Sequence, residues 1–357
     1  MVTCVIGMRL FRNLTVYVLS GLALFLAALP AAAQYSAEHF IPPLYFDETA
    51  YSDDKPDRLI IYLSTMEEQP FEVTASSLAG VVAPDFPVQI SRDKPGRVVV
   101  PCVNDGGGRV CVALYEKGVG AGLSDKGIIL SSGPGGAPFF ARVDVITSDQ
   151  AGSVSSKGAA GTGLEFYSAH FHQSVNFDSG TFISVMATAD NTTLSIADRP
   201  GVDWVGDCNN ANLNRGKSCV LKITPFAPDN ANIGTYISAD KEIAVVSGSW
   251  SGKIGLDNNR VGRDIGIDQL IPVSAFGTDY IVHEACFKGG KDAEGGAAII
   301  VASEDNTTVT VNDNVEAELN AGEFYRHTLD GGDGNTKLEM AANVELNHVS
   351  TDKPVMV

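Results

Sequence analysis

The pattern Asp-Asn-Thr-Thr occurs twice in this 357-residue chain, in Ala189-Asp190-Asn191-Thr192-Thr193-Leu194-Ser195-Ile196 and in Glu304-Asp305-Asn306-Thr307-Thr308-Val309-Thr310-Val311. Each copy follows a run of strand-forming residues, and apolar and polar side chains alternate after the Thr pair. Asp and Asn tolerate positive φ and hydrogen-bond their own backbone. Each copy is therefore expected to form a β-hairpin.

Two further patterns return at nearly the same interval. Gly163-Leu164-Glu165-Phe166 is matched by Gly277-Thr278-Asp279-Tyr280, and Asp240-Lys241 is matched by Asp352-Lys353. An earlier Asp125-Lys126 looks like a further copy of the Asp-Lys pattern. A period near 115 residues exceeds that of common solenoid or single-blade repeats and suits a small β domain.

These repeated patterns divide the chain into an N-terminal leader and three tandem modules. The segments are 34–150 (a diverged first repeat), 151–262 and 263–357. No stretch after residue 34 shows an amphipathic helical period, so the fold class is all-β, built from repeated antiparallel modules. A sandwich-like module is favoured, and a closed propeller-like ring is the alternative.

Residues 1–33 read as a signal peptide. Arg9 and Arg12 precede the apolar run Leu14–Leu29, and Ala31 and Ala33 have the spacing of a signal-peptidase site. Cleavage before Gln34 is expected, which predicts a secreted or cell-surface protein with no membrane span in the mature chain.

Composition excludes two classes of protein. Hydrophobic residues make up 44% of the chain, enough for a core, so wholesale disorder is excluded. The formal net charge is −18, and such an acidic surface repels phosphate, so nucleic-acid partners are excluded.

Five cysteines follow the leader. Cys102 and Cys111 bracket one polar loop, and Cys208 and Cys219 bracket another, so each pair is predicted to form a local disulfide. Cys286 has no evident partner.

Two groups of residues are candidate metal ligands. His170 and His172 are separated by one residue, which on a strand places both imidazoles on one face, as zinc or copper requires. Oxygen ligands at Asp330, Asp333 and Asn335 lie in a glycine-rich loop that could bind calcium, although the register of an EF-hand is absent. No other cofactor is implied.

The last residues, Val355-Met356-Val357, are an apolar β-type run that corresponds to the start of the continuing strand at Ile243. The third module is therefore expected to be unfinished, with an exposed strand edge that favours aggregation or fraying over residues 337–357.

Several of these segments together resemble bacterial relatives of the N-terminal domain of IgGFc-binding protein. The resemblance rests on 150–166, on the Asp-Asn-Thr-Thr pattern at 190–193, on 266–280 and on 350–355, and it covers roughly residues 38 to 357. It implies a secreted, β-rich piece of a larger surface or adhesion protein, and it implies no catalytic residues.

Two functions follow from the sequence. The favoured one is a non-catalytic binding or adhesion module whose ligand is an extracellular protein or glycan, contacted through loops. The alternative is an exported metal-dependent hydrolase that uses His170 and His172.

Overall fold

The computed structural model describes residues 34–46, 58–100, 102–104, 109–111, 115–117, 122–147, 151–170, 172–173, 181–198, 204–205, 208–223, 232–253, 263–283, 297–329 and 346–357. The expected leader, 1–33, lies outside these residues. Within them the regular structure is 28 β-strands and two short 3-10 turns, Gly158–Gly161 and Val273–Ala275. No helix in these ranges is long and apolar enough to cross a membrane.

The strands lie in three groups along the chain. The first group is β1 Glu38–Ile41, β2 Leu44–Phe46, β3 Arg58–Ser64, β4 Phe71–Ser76, β5 Val88–Ile90, β6 Gly96–Val100, β7 Cys102–Asn104, β8 Arg109–Cys111, β9 Tyr115–Lys117, β10 Gly122–Ser124, β11 Ile128–Ser131, β12 Phe140–Ile146 and β13 Ala151–Ser155. The second group is β14 Thr162–Tyr167, β15 His172–Gln173, β16 Thr181–Ala187, β17 Thr192–Ile196, β18 Trp204–Val205, β19 Asn212–Leu213, β20 Ser218–Ile223, β21 Tyr236–Lys253 and β22 Arg263–Gln269. The third group is β23 Gly277–His283, β24 Ala297–Ala302, β25 Thr307–Val311, β26 Asn314–Leu319, β27 Phe324–Thr328 and β28 Leu346–Met356.

A related strand order recurs three times, in two separate sheets of the first repeat and within one continuous sheet in each of the second and third. In the first repeat the sheets run β1-β11-β4-β5 and β13-β12-β3-β6. In the second they run β14-β21-β17-β19 and β22-β21-β16-β20, and in the third β23-β28-β25-β26 and β28-β24-β27. The prediction of an all-β fold built from antiparallel sheets is confirmed.

A long strand joins the two sheets in the second and third repeats. The first part of β21 pairs with β14 and β17, and its later part pairs with β16 and β22. The strand passes from one sheet to the other at Asp240–Glu242. In β28 the same crossing falls at Asp352–Pro354, so the Asp-Lys pattern marks the point where each long strand changes sheets.

The match with Asp125-Lys126 is wrong. These residues precede β11, which pairs with β1 and β4 and so occupies the place of the first part of β21. The first repeat changes sheets between β11 and β12, in the segment 132–139. Asp125 instead accepts a hydrogen bond from Lys217 of the second repeat at 2.7 Å. A two-residue pattern thus recurs in a different structural role.

Each module is completed by the strand that leads into the next one. β13 pairs with β12 in the first repeat, and β22 pairs with β21 in the second. Core packing also crosses from one repeat to the next. Ile265 and Ile267 of β22 pack in the hydrophobic cluster of the first repeat, and Val301 and Met356 of the third repeat pack in the cluster of the second. The boundaries proposed at 150/151 and 262/263 stay predictions.

Candidate functional site

The two Asp-Asn-Thr-Thr turns have the same conformation and the same internal bonds. Asn191 and Asn306 have φ values of 56° and 55°. The Thr192 hydroxyl donates to the Ala189 carbonyl at 2.8 Å, and the Thr307 hydroxyl donates to the Glu304 carbonyl at 2.7 Å. The predicted turns are confirmed, but the predicted β-hairpins are wrong. β16 and β17 both pair with β21, and β24 and β25 both pair with β28, so a long strand lies between the two strands that flank each turn.

The Asp-Lys residues of each long strand form hydrogen bonds with the backbone of the neighbouring Asp-Asn-Thr-Thr turn. Asp240 accepts a hydrogen bond from the Thr193 amide at 2.7 Å, and Asp352 accepts one from the Thr308 amide at 2.7 Å. Lys353 donates to the Asn306 carbonyl at 3.0 Å, while Lys241 donates to the Asp190 carbonyl. The two separated patterns found in the sequence therefore form one structural unit.

A second turn is duplicated beside each Asp-Asn-Thr-Thr turn. We call Asn214–Lys217 and Asn320–Glu323 the junction turns, since each one faces the preceding repeat. Gly216 and Gly322 have φ values of 80° and 77°, which suit glycine. Their amides donate to Ala187 and Ala302 carbonyls, both at 2.9 Å. Sequence reasoning missed these turns, although the Asn-x-Gly pattern at 214 and 320 signals them.

At the first junction an arginine reaches across to the first repeat. The guanidinium of Arg215 lies 4.8 Å from the centroid of the Phe40 ring and forms an ion pair with Glu38. It also donates to the Thr188 carbonyl at 2.7 Å. The Arg215 guanidinium thus forms a cation–π contact, an ion pair and a hydrogen bond at the same time.

The second junction has alanine at the corresponding position. Ala321 occupies the same place in its turn as Arg215. The Arg215 amide donates to Asp190, and the Ala321 amide donates to the equivalent Asp305 at 3.1 Å. Strand register places Glu165 and Tyr167 where the first repeat has Glu38 and Phe40. The surface that receives the arginine is therefore kept, while the arginine is not.

A cleft of about 460 Å³ opens at the second junction. We call it the tyrosine cleft, and its lining residues are Tyr167, Ala197, Asp198, Gly234, Thr235, Tyr236 and Ala321. The cavity beside Arg215 at the first junction measures about 220 Å³. The cleft at the second junction is the larger of the two, as expected because alanine at position 321 fills less space than the arginine at position 215.

Negative charge surrounds the two tyrosines of the cleft. Their ring centroids are 5.2 Å apart, and the Tyr236 hydroxyl donates to Glu165 at 2.5 Å. Burial and the Glu165 carboxylate raise the pKa of Tyr236 to about 12. Burial, followed by the charges of Glu165 and Asp305, also raises the pKa of Tyr167. Both phenols stay neutral at physiological pH, in a field that favours a cation.

The predicted histidine pair does not lie on one strand. β15 begins at His172, so His170 precedes it and the alternation of side chains along a strand does not place the two on one face. His170 is 7% exposed, and its Nε2 donates to the side-chain oxygen of Asn232. It also lines a largely apolar cavity of about 360 Å³ with His283.

Metal binding stays a prediction. Among the described residues no group of three or more His, Cys, Asp or Glu side chains could hold a metal ion. The side chain of His172 lies outside the described residues, as do the proposed calcium ligands Asp330, Asp333 and Asn335.

One of the two predicted disulfides is confirmed. Cys208 and Cys219 are bonded, with Cα atoms 6.1 Å apart, and both lie in the core of the second repeat. Cys102 is disulfide-bonded and lies opposite Cys111 in the register of β7 and β8. The Cys111 side chain and Cys286 lie outside the described residues, so the Cys102–Cys111 pair stays a prediction.

Residues 152–357 match the family model described as IgGFc binding protein, which is more than half of the chain. This chain belongs to the IgGFc-binding protein family. The resemblance noted in the sequence is thereby confirmed, and the match to the IgGFc-binding protein family includes both junction turns and the tyrosine cleft. No curated protein and no solved structure matches the chain.

Proposed function

We propose that this chain is a secreted or cell-surface, non-catalytic binding or adhesion module whose ligand is an extracellular protein or glycan. The tyrosine cleft carries the proposal. It lies between two repeats, where Tyr167 and Tyr236 supply aromatic surface and Asp198 supplies charge. A concave site with aromatic walls and a few polar groups is typical of ligand recognition.

Two further features support a binding role. Family membership agrees with it, since the matched region is described as an IgGFc binding protein. The shared hydrogen bonds of the Asp-Asn-Thr-Thr turns and junction turns hold the cleft walls in a preorganised geometry, which lowers the entropic cost of binding.

Surface binding by the full exported chain tests the proposal. Biolayer interferometry would compare three immobilised probes: intact mucin, the same mucin after enzymatic deglycosylation, and immunoglobulin Fc. We expect saturable, reversible binding to at least one probe, with the mass of that probe unchanged. Loss of the signal on deglycosylation would identify a glycan ligand, and its retention a polypeptide one. Absence of binding to all three, or time-dependent cleavage of a probe, would contradict the proposal.

A further inference from the structure

The two junctions differ in what occupies a shared receptor. At the first, Glu38 and Phe40 of β1 receive the guanidinium of Arg215. At the second, Glu165 and Tyr167 of β14 occupy the equivalent positions, and the turn opposite them carries Ala321. The molecule therefore contains one filled and one open version of the same site.

We propose that the tyrosine cleft binds an arginine side chain of an extracellular polypeptide ligand, in the place that Arg215 fills at the first junction. This inference rests on the proposed binding function and names the ligand group that the cleft accepts. The donor is a polypeptide because the cleft is much larger than a guanidinium ion and leaves room for an aliphatic stem along the Tyr rings.

The groups that would hold the guanidinium are present. Glu165 accepts the Tyr236 hydroxyl on Oε1, and an ionised carboxylate has further acceptor positions for guanidinium N–H groups. Tyr167 offers a more electron-rich ring than the Phe40 that carries Arg215. The Ser303 carbonyl is equivalent to the Thr188 carbonyl, which accepts from Arg215, because each residue comes directly before its repeat's Asp-Asn-Thr-Thr turn segment.

The charge around the cleft has the required sign. Asp198 lines it, and Asp305 and Glu165 act electrostatically on Tyr167. The chain as a whole carries a net charge of −18, which favours the approach of a basic ligand. Arginine also suits the site better than lysine, since its planar group stacks on aromatic rings and binds carboxylates through two N–H groups.

Titration of the isotope-labelled full exported chain with N-acetyl-arginine amide, followed by amide NMR shifts, tests the proposal. We expect saturable shifts at Gly234 and Gly322, with a dissociation constant of about 1 mM for an isolated residue. The neutral isostere N-acetyl-citrulline amide is expected to bind at least tenfold more weakly. Guanidinium chloride is expected to bind several-fold more weakly, because it lacks the aliphatic stem. Equal binding of either compound would overturn the assignment to an arginine side chain.

Two test variants, each with a matched control variant, locate the site. Ala321→Arg is expected to fill the cleft from within and abolish the saturable shifts, whereas Ala159→Arg, at an exposed alanine in the 3-10 turn before β14, is expected to leave them unchanged. Glu165→Gln is expected to weaken binding about tenfold, and Glu38→Gln, at the equivalent position of the first junction, is not. If Ala321→Arg fails to fold, the pair of glutamate variants still decides. An unchanged dissociation constant in Glu165→Gln, or no shifts at all with the wild-type chain, would overturn the inference. Binding to a surface probe without arginine binding would leave the proposed function standing.

Discussion

The first and second junctions share a backbone and differ in a side chain. Both have an Asn-x-Gly turn facing a strand that presents a glutamate and an aromatic ring. Arg215 closes the first, and Ala321 leaves the second open. The backbone is preserved by local hydrogen bonds that are the same in both repeats, so the residue at the tip of the turn is free to vary. The same position thus holds a structural contact at one junction and borders an open cleft at the next.

The largest predicted effect concerns the aromatic position of the first junction. Phe40 is 6% exposed beneath Arg215, whereas Ile281, at the equivalent position of β23, is 64% exposed. Phe40→Ala is expected to lower the free energy of unfolding by about 3 kcal/mol. Ile281→Ala is expected to change it by less than about 0.5 kcal/mol. Urea denaturation measures both, and similar losses would show that the junction turn does not determine burial at this position.

The second prediction concerns pH. His39 is fully buried, donates from Nε2 to the Phe139 carbonyl at 2.8 Å and accepts at Nδ1 from the Ser156 hydroxyl at 3.0 Å. Burial lowers its pKa to about 4. The folded chain therefore keeps this imidazole neutral while the unfolded chain takes up a proton below about pH 6.5. Stability is expected to fall as the pH drops from 6.5, by about 3 kcal/mol at pH 4 from this group.

The second repeat provides the control for this effect. Strand register places Phe166 where the first repeat has His39. Denaturation of His39→Phe between pH 7 and pH 4 is expected to show a shallower loss of stability than the wild-type chain, whatever its stability at pH 7. The same slope in both proteins would contradict a neutral, buried His39.

A smaller effect tests whether the two Asp-Asn-Thr-Thr turns are equivalent. Thr192 and Thr307 are fully buried, and each hydroxyl donates to a backbone carbonyl of its own turn. Replacement of either by Val keeps the shape and removes the donor, so each change is expected to cost about 1 kcal/mol. Thermal unfolding of Thr192→Val and Thr307→Val measures this. Values that differ by more than about 1 kcal/mol would show that the repeats do not rely on the same bonds.

Sequence patterns predicted the Asp-Asn-Thr-Thr turns well, but not which strands pair around them or how the junctions are built. Asp190-Asn191-Thr192-Thr193 and its copy carry local turn chemistry, so their structure follows from neighbouring residues. The Cys208–Cys219 pair could be predicted because it closes a short loop. Asp125-Lys126 misled because two residues cannot define a position in a sheet, which depends on the long-range pairing of β11 with β1 and β4. No local sequence pattern marked Arg215 or Ala321 as part of a site, since the residues that they face lie on strands about 175 and 155 residues earlier in the chain.

A double-mutant cycle at both junctions tests the central claim most directly. At the first, Arg215→Ala and Glu38→Gln remove the two partners of an existing ion pair. At the second, Ala321→Arg is introduced in the wild-type chain and in the Glu165→Gln background. Stability measurements are expected to give a coupling of about 0.5–1 kcal/mol in both cycles, as for partly exposed ion pairs. Coupling at the first junction with none at the second would contradict the claim that the tyrosine cleft is an open arginine site.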